Sequence, residues 1–381
     1  MKKFGIHTKI YFGEDALSRL SQLKYQTAIV ITDPFVVKSG MIDLITAPLT
    51  KGGIQYTVFS DVVPDPPVDK VVEGVKAVLS TKPQCIVAVG GGSAMDSAKA
   101  IREFASRITP GYNPYLIAIP TTSGTGSEVT SFAVISDPVK KEKLPLVAPS
   151  LTPEEAILDE VLVKSVPADV TADTGMDVFT HALEAYVSLD NNEFSAALAE
   201  KSIEIIGMFL LRSYRDNTDL HARRKMHVAS CLAGLAFNSA SLGLNHGMAH
   251  QLGATFHIPH GRANAILLPH IIHYNSEIDV YSKSKKEYRP VVRKYCTAAR
   301  TLGVQAFNEV NTVNTLCMWV EFMLKEMHIP LHLSEMLSIS KQEYFAQIPQ
   351  MAKKALADGC TATNPRTPTL QEIEQIYKDL W

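Results

Sequence analysis

The chain has 381 residues, 46% hydrophobic and 20% charged, which is typical of a globular protein with two domains. Its 37 basic and 39 acidic residues give a formal charge of −2, so charge offers no reason to expect a nucleic acid or a membrane surface as partner. No stretch approaches 18 uninterrupted apolar residues and the N-terminus lacks the apolar run of a signal peptide, so we expect a cytoplasmic protein.

The five cysteines are scattered without a Cys-x-x-Cys pair, which argues against disulfides and against a cysteine-based metal site. The short basic run 283–286 is expected to be a solvated loop.

The first 160 residues alternate between strand-like and helix-like segments. Apolar runs predict buried strands and helical spacing predicts the helices between them: strands 27–33, 55–60, 85–89 and 115–119, helices 68–79 and 94–104. This alternation predicts an α/β domain over 1–160 with a parallel, doubly wound sheet.

The pattern changes near residue 160, beyond which β-branched runs become rare. Long stretches at helical spacing then follow one another: 172–187, 195–211, 220–242, 289–302, 313–326 and 370–377. We therefore expect an all-α domain over 161–381.

Two loops rich in glycine and hydroxyl side chains follow predicted strands. Gly90-Gly91-Gly92-Ser93 lies between a strand and a helix, where free backbone N–H groups attract an anion such as a pyrophosphate. Its spacing is not Gly-x-Gly-x-x-Gly, so a tight turn without a ligand is an open alternative. The second loop, 121–128, supplies hydroxyls suited to phosphate and ribose, although alone it could equally be a polar surface loop. Because both loops would lie at one edge of the sheet, together they favour a nucleotide site.

Asp33 ends the first predicted strand. A carboxylate there can bond the ribose hydroxyls of an adenosine and repels a 2′-phosphate, which favours NAD over NADP. The alternative role is a helix N-cap or turn, because Pro34 follows.

The stretch 246–261 holds four of the chain's 12 histidines: His246, His250, His257 and His260. His246 and His250 are spaced i, i+4, so in a helix their imidazoles share one face. A lone buried histidine is usually only hydrogen-bonded, but a cluster this dense in apolar surroundings predicts a metal site.

Asp177 and His181 show the same i, i+4 spacing in another apolar segment. The alternative is a simple intrahelical Asp–His hydrogen bond, with Glu184 as a solvated acid on the same face. Combined with the histidine cluster, one carboxylate and two or three imidazoles predict a site for a divalent ion such as Fe(II) or Zn(II).

Four segments carry a resemblance to a known family: Gly90–Ser93, Pro120–Glu128, Gly175–Glu184 and Asn245–Ala265. Together they resemble the iron-containing (group III) alcohol dehydrogenases, and the match runs in order from about residue 5 to about residue 275. Segment 189–200 and the turn 259–262 are similar to the branch of propanol and ethanol dehydrogenases associated with bacterial microcompartments, although the N-terminus shows no obvious encapsulation peptide.

The resemblance implies a dehydroquinate synthase-like fold: a dinucleotide-binding α/β domain, a helical metal-binding domain and a cleft between them. It implies four metal ligands: Asp177, His181, His246 and His260. This set corrects the pairing of His246 with His250 suggested by spacing, and leaves His250 beside the metal as a catalytic proton relay. His257 and His270 match family positions without a ligand role and are expected to be second-layer or core histidines.

The resemblance also implies the residues that bind NAD. These are Asp33, Asp65, Gly91, Gly92, Ser93, Thr121, Thr122, Thr125, Thr130 and Lys143. Asp65 stands where the family often has asparagine.

The implied activity is metal-dependent, reversible hydride transfer between NAD(H) and a short primary alcohol or aldehyde, such as ethanol or 1-propanol, by a homodimer or higher oligomer. A glycerol or other diol dehydrogenase of the same family is the nearer alternative. A lyase of the dehydroquinate synthase type would need a basic pocket, for which only Arg262 is available near the metal. A non-catalytic NAD-binding protein is a third class, against which the intact motifs argue.

Overall fold

The structure, a computed structural model, describes residues 4–139, 142–277 and 289–381, so the basic run 283–286 lies outside the described residues. The chain divides into two units, Met1–Val166 and Pro167–Trp381. The boundary predicted at 160/161 stays a prediction.

A six-stranded parallel sheet forms the centre of the first unit. The strands of this unit are β1 (Lys9–Phe12), β2 (Thr27–Ile31), β3 (Gln55–Phe59), β4 (Cys85–Gly90), β5 (Tyr115–Pro120), β6 (Phe132–Asp137), β7 (Glu142–Val147) and β8 (Glu155–Leu158). The order in the sheet is β1-β8-β5-β4-β2-β3, and β6 pairs with β7 in a separate antiparallel ribbon. Strand β4 is buried at every position, which explains its uninterrupted apolar sequence.

In the described part of this unit, four α-helices accompany the sheet: α1 (Pro34–Lys38), α2 (Asp43–Lys51), α3 (Val68–Thr81) and α4 (Gly92–Ile108). Apolar side chains form a separate cluster on each face of the sheet, and the strands supply alternate residues to each cluster. Strand β3 lies on one side of β2 and β4 lies on the other, so the order in which the chain adds strands to the sheet reverses between β2 and β4. In a doubly wound sheet, loops at the carboxyl ends of such neighbours diverge and leave room for a ligand.

The predicted parallel α/β fold is confirmed. All four predicted strands and both helices are present, within a few residues of the expected bounds. Strands β1 and β8 and the β6–β7 ribbon were not predicted. Strand β1 has an exposed first and last residue, so its sequence lacks the continuous apolar run that marks a central strand.

Helices make up the second unit, as predicted. They are α5 (Ala168–Val187), α6 (Glu193–Arg215), α7 (Leu220–Ala240), α8 (Leu244–Phe256), α9 (His260–Ser276), α10 (Arg289–Thr301), α11 (Glu309–Glu326), α12 (Lys341–Ala357) and α13 (Leu370–Asp379). Of these, α8 was considered only as a condition for the spacing of His246 and His250, and α9 and α12 were not predicted. Helices α9 and α12 each contain an internal proline, which weakens a helical prediction from sequence. Helix α5 is buried from Gly175 to Val187, so it forms the centre of this unit.

Helix α7 ends two residues before the predicted bound of 242, because Ser241 adopts a left-handed φ of 60°. Among the described residues no single helix is long and apolar enough to cross a membrane. Leu220–Ala240 and Leu244–Phe256 meet that requirement only as a pair, with a bend of 108° between them.

Candidate metal centre and dinucleotide site

Helix α5 supplies the first two predicted ligands. Asp177 and His181 lie one turn apart and are both buried, with side-chain exposures of 5% and 6%. Burial of a carboxylate is costly unless cations or donors surround it, so this pair needs further polar partners.

Helices α8 and α9 supply those partners. His246 lies in the first turn of α8 and is buried, whereas His260 is the first residue of α9 and its side chain is 44% exposed. Gly261 follows, and a Cβ atom there would lie 2.1 Å from the carbonyl oxygen of Asp173. Glycine therefore allows the start of α9 to approach α5, which brings His260 to Asp177.

The four predicted ligands converge on one point. The distance from Asp177 Oδ1 to Nε2 is 3.6 Å for His260 and 3.7 Å for His246. The distance from Asp177 Oδ2 to His181 Nε2 is 4.0 Å. These separations are too long for hydrogen bonds. They are close to the spacing of about 3.4 Å between two donors that each lie about 2.1 Å from a tetrahedral ion. One donor atom from each of the four residues lies within 4.8 Å of the others, so the set fits a divalent metal ion.

Two further side chains orient these donors. Glu184 Oε2 is hydrogen-bonded to His246 Nδ1, and its Oε1 accepts a hydrogen bond of 2.7 Å from the backbone N–H of Asn245. Asn264 Nδ2 lies 2.7 Å from Asp177 Oδ1 and 3.2 Å from Nε2 of both His246 and His260. The Glu184 bond turns His246 Nε2 toward Asp177, as a ligand requires.

Glu184 corrects one reading of the sequence. The alternative of a solvated acid on α5 is wrong, because Glu184 is 4% exposed and bonded to His246. Glu184 and Asn264 are the residues that the sequence analysis missed. Their signal was present in the segments Gly175–Glu184 and Asn245–Ala265: a carboxylate near predicted histidine ligands is a common orienting group, whereas an asparagine gives no such sign.

The electrostatics of the cluster suit a cation. Burial would raise the pKa of Asp177, but the neighbouring imidazoles of His181, His260 and His246 outweigh it and lower that pKa. Burial opposes protonation of His246, yet the carboxylates of Glu184 and Asp177 raise its pKa to about 9. Positive charge is therefore favoured at the point where these groups meet.

His250 lies beside the cluster without belonging to it. Its ring stacks on that of His260 at a centroid distance of 5.4 Å, and its Nδ1 atom lies 2.9 Å from Asp358 Oδ2. The ligand pairing of His246 with His250 suggested by spacing is therefore not supported by the geometry.

The remaining predicted residues of this unit lie apart from the donor set. His257 is exposed and ends α8 in a left-handed conformation with φ of 57°, so the expectation of a core position is wrong for it. Burial lowers the pKa of His270, which is half-buried. Arg262 is paired with Asp173, with 2.9 Å between Nε and Oδ1.

In the first unit, the two glycine-containing loops lie against each other. The backbone N–H of Thr121 donates to the carbonyl of Gly90 at 2.9 Å. A Cβ atom at Gly92 would lie 2.8 Å from Thr125 Cγ2, and one at Gly91 would lie 3.6 Å from Thr122 Oγ1. Helix α4 begins at Gly92 without a side-chain cap, and Ser93 is in its first turn, so backbone N–H groups there can receive an anion.

Asp33 lies at the switch point between β2 and β4. Its Oδ1 atom caps α1 by accepting from the N–H groups of Phe35 and Val36, at 2.8 and 3.1 Å. The N-cap role left open by the sequence is thus present. The second oxygen, Oδ2, lies 3.2 Å from where a Cβ of Gly90 would be, so the same carboxylate also borders the glycine turn.

The other predicted cofactor residues occupy two different environments. Asp65 and Lys143 form an exposed ion pair, with 2.8 Å between Oδ1 and Nζ. Thr130 is buried, and its Oγ1 accepts a hydrogen bond of 3.1 Å from Lys99 Nζ. Lys99 also donates to Ser127 Oγ and so ties α4 to the second loop. Burial lowers the pKa of Lys99 to about 8.

Residues 7–160 match the family described as iron-containing alcohol dehydrogenase, and residues 171–381 match the C-terminal region of the Fe-containing alcohol dehydrogenase family. The chain is 41% identical to 1-propanol dehydrogenase PduQ of Citrobacter freundii over 100% of both chains. It is 36% identical to an NADPH-dependent butanol dehydrogenase of Clostridium saccharobutylicum, over 99% of this chain and 97% of the relative.

Solved structures agree over the full length. A 1,3-propanediol oxidoreductase superimposes with a TM-score of 0.90 at 32% identity, covering 100% of both chains. A sulfoacetaldehyde reductase from Bifidobacterium kashiwanohense in complex with NAD+ superimposes with a TM-score of 0.86 at 25% identity, covering 100% of this chain and 98% of that one. The chain belongs to the iron-containing alcohol dehydrogenase family and is an oxidoreductase of that type.

Proposed function

We propose that the protein interconverts short primary alcohols and aldehydes, such as 1-propanol and propanal or ethanol and acetaldehyde, with NAD(H) as the hydride carrier. The observation that carries the proposal is the convergence of one carboxylate and three imidazoles from α5, α8 and α9, in a chain that is 41% identical to a 1-propanol dehydrogenase. Family membership supports a metal and a nicotinamide cofactor in general terms.

Asp177, His181, His246 and His260 would hold the metal, with Glu184 and Asn264 fixing the orientation of the donors. When bound, the ion supplies Lewis acidity toward the substrate oxygen. Both Fe(II) and Zn(II) suit this donor set. We propose Fe(II), with Zn(II) as the competing ion.

His250 is assigned to the path of the alcohol proton. Asp358 holds its Nδ1, so the opposite ring nitrogen, Nε2, is available toward substrate and solvent. The side chain of His250 is 37% exposed, which permits exchange of that proton with water.

The dinucleotide would occupy the switch point of the sheet. We assign its pyrophosphate to the start of α4 at Gly91, Gly92 and Ser93. Asp33 would accept hydrogen bonds from the ribose hydroxyls and disfavour a 2′-phosphate, which supports NAD over NADP. The second loop, with Thr121, Thr122 and Thr125, would complete the contacts.

The alternative with a specific observation in its favour is a diol substrate. The likeness to a 1,3-propanediol oxidoreductase at 32% identity supports it. A dehydroquinate synthase-type reaction is disfavoured, because Arg262, the candidate cation for an acidic substrate, is already neutralised by Asp173. We further propose a cytoplasmic homo-oligomer associated with a bacterial microcompartment.

The test is steady-state oxidation of NADH and of NADPH with propanal, acetaldehyde and 3-hydroxypropanal, on protein loaded anaerobically with Fe(II) or Zn(II). The proposal expects metal-dependent turnover, highest with NADH and a simple aldehyde. Higher catalytic efficiency with 3-hydroxypropanal would replace it by the diol function. Turnover that survives complete removal of metal would refute the role of the cluster.

A further inference from the structure

A second group of potential metal ligands lies next to the first. His250 Nδ1, Asp358 Oδ2 and Cys360 Sγ all lie within 4.8 Å of one another, and all three residues are half-buried. The donors are distinct from those of the Asp177 cluster. The sequence analysis argued against a cysteine-based metal site because the chain lacks a Cys-x-x-Cys pair. Sequence spacing could not show that α8 meets the segment after α12 and so brings His250 to Cys360.

The fold holds these three residues together from two sides. Asp358 and Cys360 belong to one tight turn, in which Asp358 Oδ1 accepts a hydrogen bond of 2.9 Å from the N–H of Cys360. Helix α8 brings His250 to that turn. A Cβ atom at Gly247 would lie 2.2 Å from Thr361 Oγ1, so glycine at that position permits the close approach.

The donor set suits one class of ion. A thiolate, an imidazole and a carboxylate are ligands that Zn(II) accepts together, whereas Ca(II) and Mg(II) select oxygen donors. The His250–Asp358 separation of 2.9 Å needs to open only to about 3.4 Å for both atoms to bind one tetrahedral ion. A water molecule would complete four-coordination.

Charge does not forbid a second cation beside the first. A divalent ion together with the Cys360 thiolate and the Asp358 carboxylate has a formal charge of zero, because the two negative ligands balance the ion. It therefore adds little repulsion to an ion at the Asp177 cluster.

We propose that His250, Asp358 and Cys360 form a second divalent-metal site that takes Zn(II). Binding there replaces the hydrogen bond between His250 and Asp358: the imidazole proton moves from Nδ1 to Nε2, and the thiol proton of Cys360 is released to solvent. On the proposed function, in which His250 lies on the proton path, excess Zn(II) inhibits the enzyme by occupying this site.

The first experiment reads the sulfur ligand directly and needs no activity. The purified full-length protein is titrated anaerobically with Co(II), and the near-ultraviolet thiolate-to-Co(II) charge-transfer band is recorded. The Asp177 cluster contains no sulfur, so an intense band reports a cysteine ligand alone. We expect the band in the wild type and in His260→Ala, and its loss in Cys360→Ser. Cys296→Ser, a buried thiol of the same unit, is the matched control and should retain it.

Two further measurements complete the test. Equilibrium dialysis should give two Zn(II) per wild-type chain and one per Cys360→Ser chain, and Zn(II) should slow alkylation of Cys360 by iodoacetamide at least tenfold. A wild type saturated with Co(II) but lacking the band, or a band that survives Cys360→Ser, would overturn the second site. If the band behaves as expected but excess Zn(II) inhibits the wild type and Cys360→Ser equally, the site stands and the inhibitory role is refuted.

Discussion

Glu184→Gln is the substitution that best tests how the metal ligands are oriented. Glu184 accepts two hydrogen bonds at once, from the N–H of Asn245 and from Nδ1 of His246. The carboxylate thus keeps a proton of His246 on Nδ1, so that Nε2 is the nitrogen from which a metal displaces the other proton. Glutamine has the same shape but offers one acceptor and one donor.

Either orientation of the glutamine amide creates a conflict. If its NH₂ group faces His246, Nδ1 must become the acceptor, and Nε2 then carries the proton and cannot bind metal. If its NH₂ group faces Asn245, two N–H donors confront each other at the buried start of α8. One buried donor without an acceptor costs about 1–3 kcal/mol. We therefore expect metal affinity to fall by about 10- to 100-fold, in line with about 1.4–2.7 kcal/mol.

The assay is competition for Zn(II) between the protein and a chromophoric chelator at neutral pH. Glu200→Gln is the matched control, because Glu200 is also hydrogen-bonded to a side chain of the helical unit, the Tyr186 hydroxyl, but touches no proposed ligand. The control should bind Zn(II) like the wild type. Zn(II) affinity of Glu184→Gln within twofold of the wild type would refute the argument that Glu184 sets the tautomer of His246.

Three further substitutions test other parts of the two sites. His260→Ala should lose metal and turnover while NADH affinity, measured by fluorescence titration, changes less than threefold; metal content and activity equal to the wild type would remove His260 from the ligand set. Gly261→Ala places a Cβ 2.1 Å from a backbone oxygen and should lower the free energy of unfolding, measured by urea denaturation, by about 1–3 kcal/mol. Gly253→Ala is the control: its Cβ has its nearest neighbour at 3.4 Å, so its free energy of unfolding should stay within about 1 kcal/mol of the wild-type value. Asp33→Asn keeps the cap on α1 but removes the charge, so the ratio of NADH to NADPH catalytic efficiency should fall about tenfold with little change in Tm; an unchanged ratio would exclude Asp33 from cofactor selection.

The parallel sheet was predictable because its central strands are buried on both faces. Strand β4 shows this as an unbroken apolar run that ends in glycine. The edge strand β1 has no such signal, since exposed ends permit polar residues there. Its pairing with β8 joins residues more than 140 positions apart, which local pattern cannot specify.

The candidate metal cluster was predictable in composition but not in its surroundings. Spacing alone would pair His246 with His250, because both lie on one face of α8. The structure instead turns His246 toward Asp177 and His250 toward Asp358. That difference depends on the hydrogen bond to Glu184 and on the close approach of neighbouring helices at glycine residues. Both arise from the three-dimensional arrangement of the chain and leave no periodic pattern in its sequence. The sequence likewise could not separate an N-cap role of Asp33 from a cofactor-binding role. The two roles are compatible, because Oδ1 caps α1 while Oδ2 borders the glycine turn.

Asn264 has a consequence for how the protein acquires its ion. Its Oδ1 accepts a hydrogen bond of 2.9 Å from Asn245 Nδ2, which directs its own NH₂ group toward Asp177, His246 and His260. Because this amide already gathers three of the four donors, α5, α8 and α9 can fold together before an ion arrives. We therefore expect metal binding to be a late step that is separate from folding, so that the ion the protein carries depends on the supply that the folded chain meets.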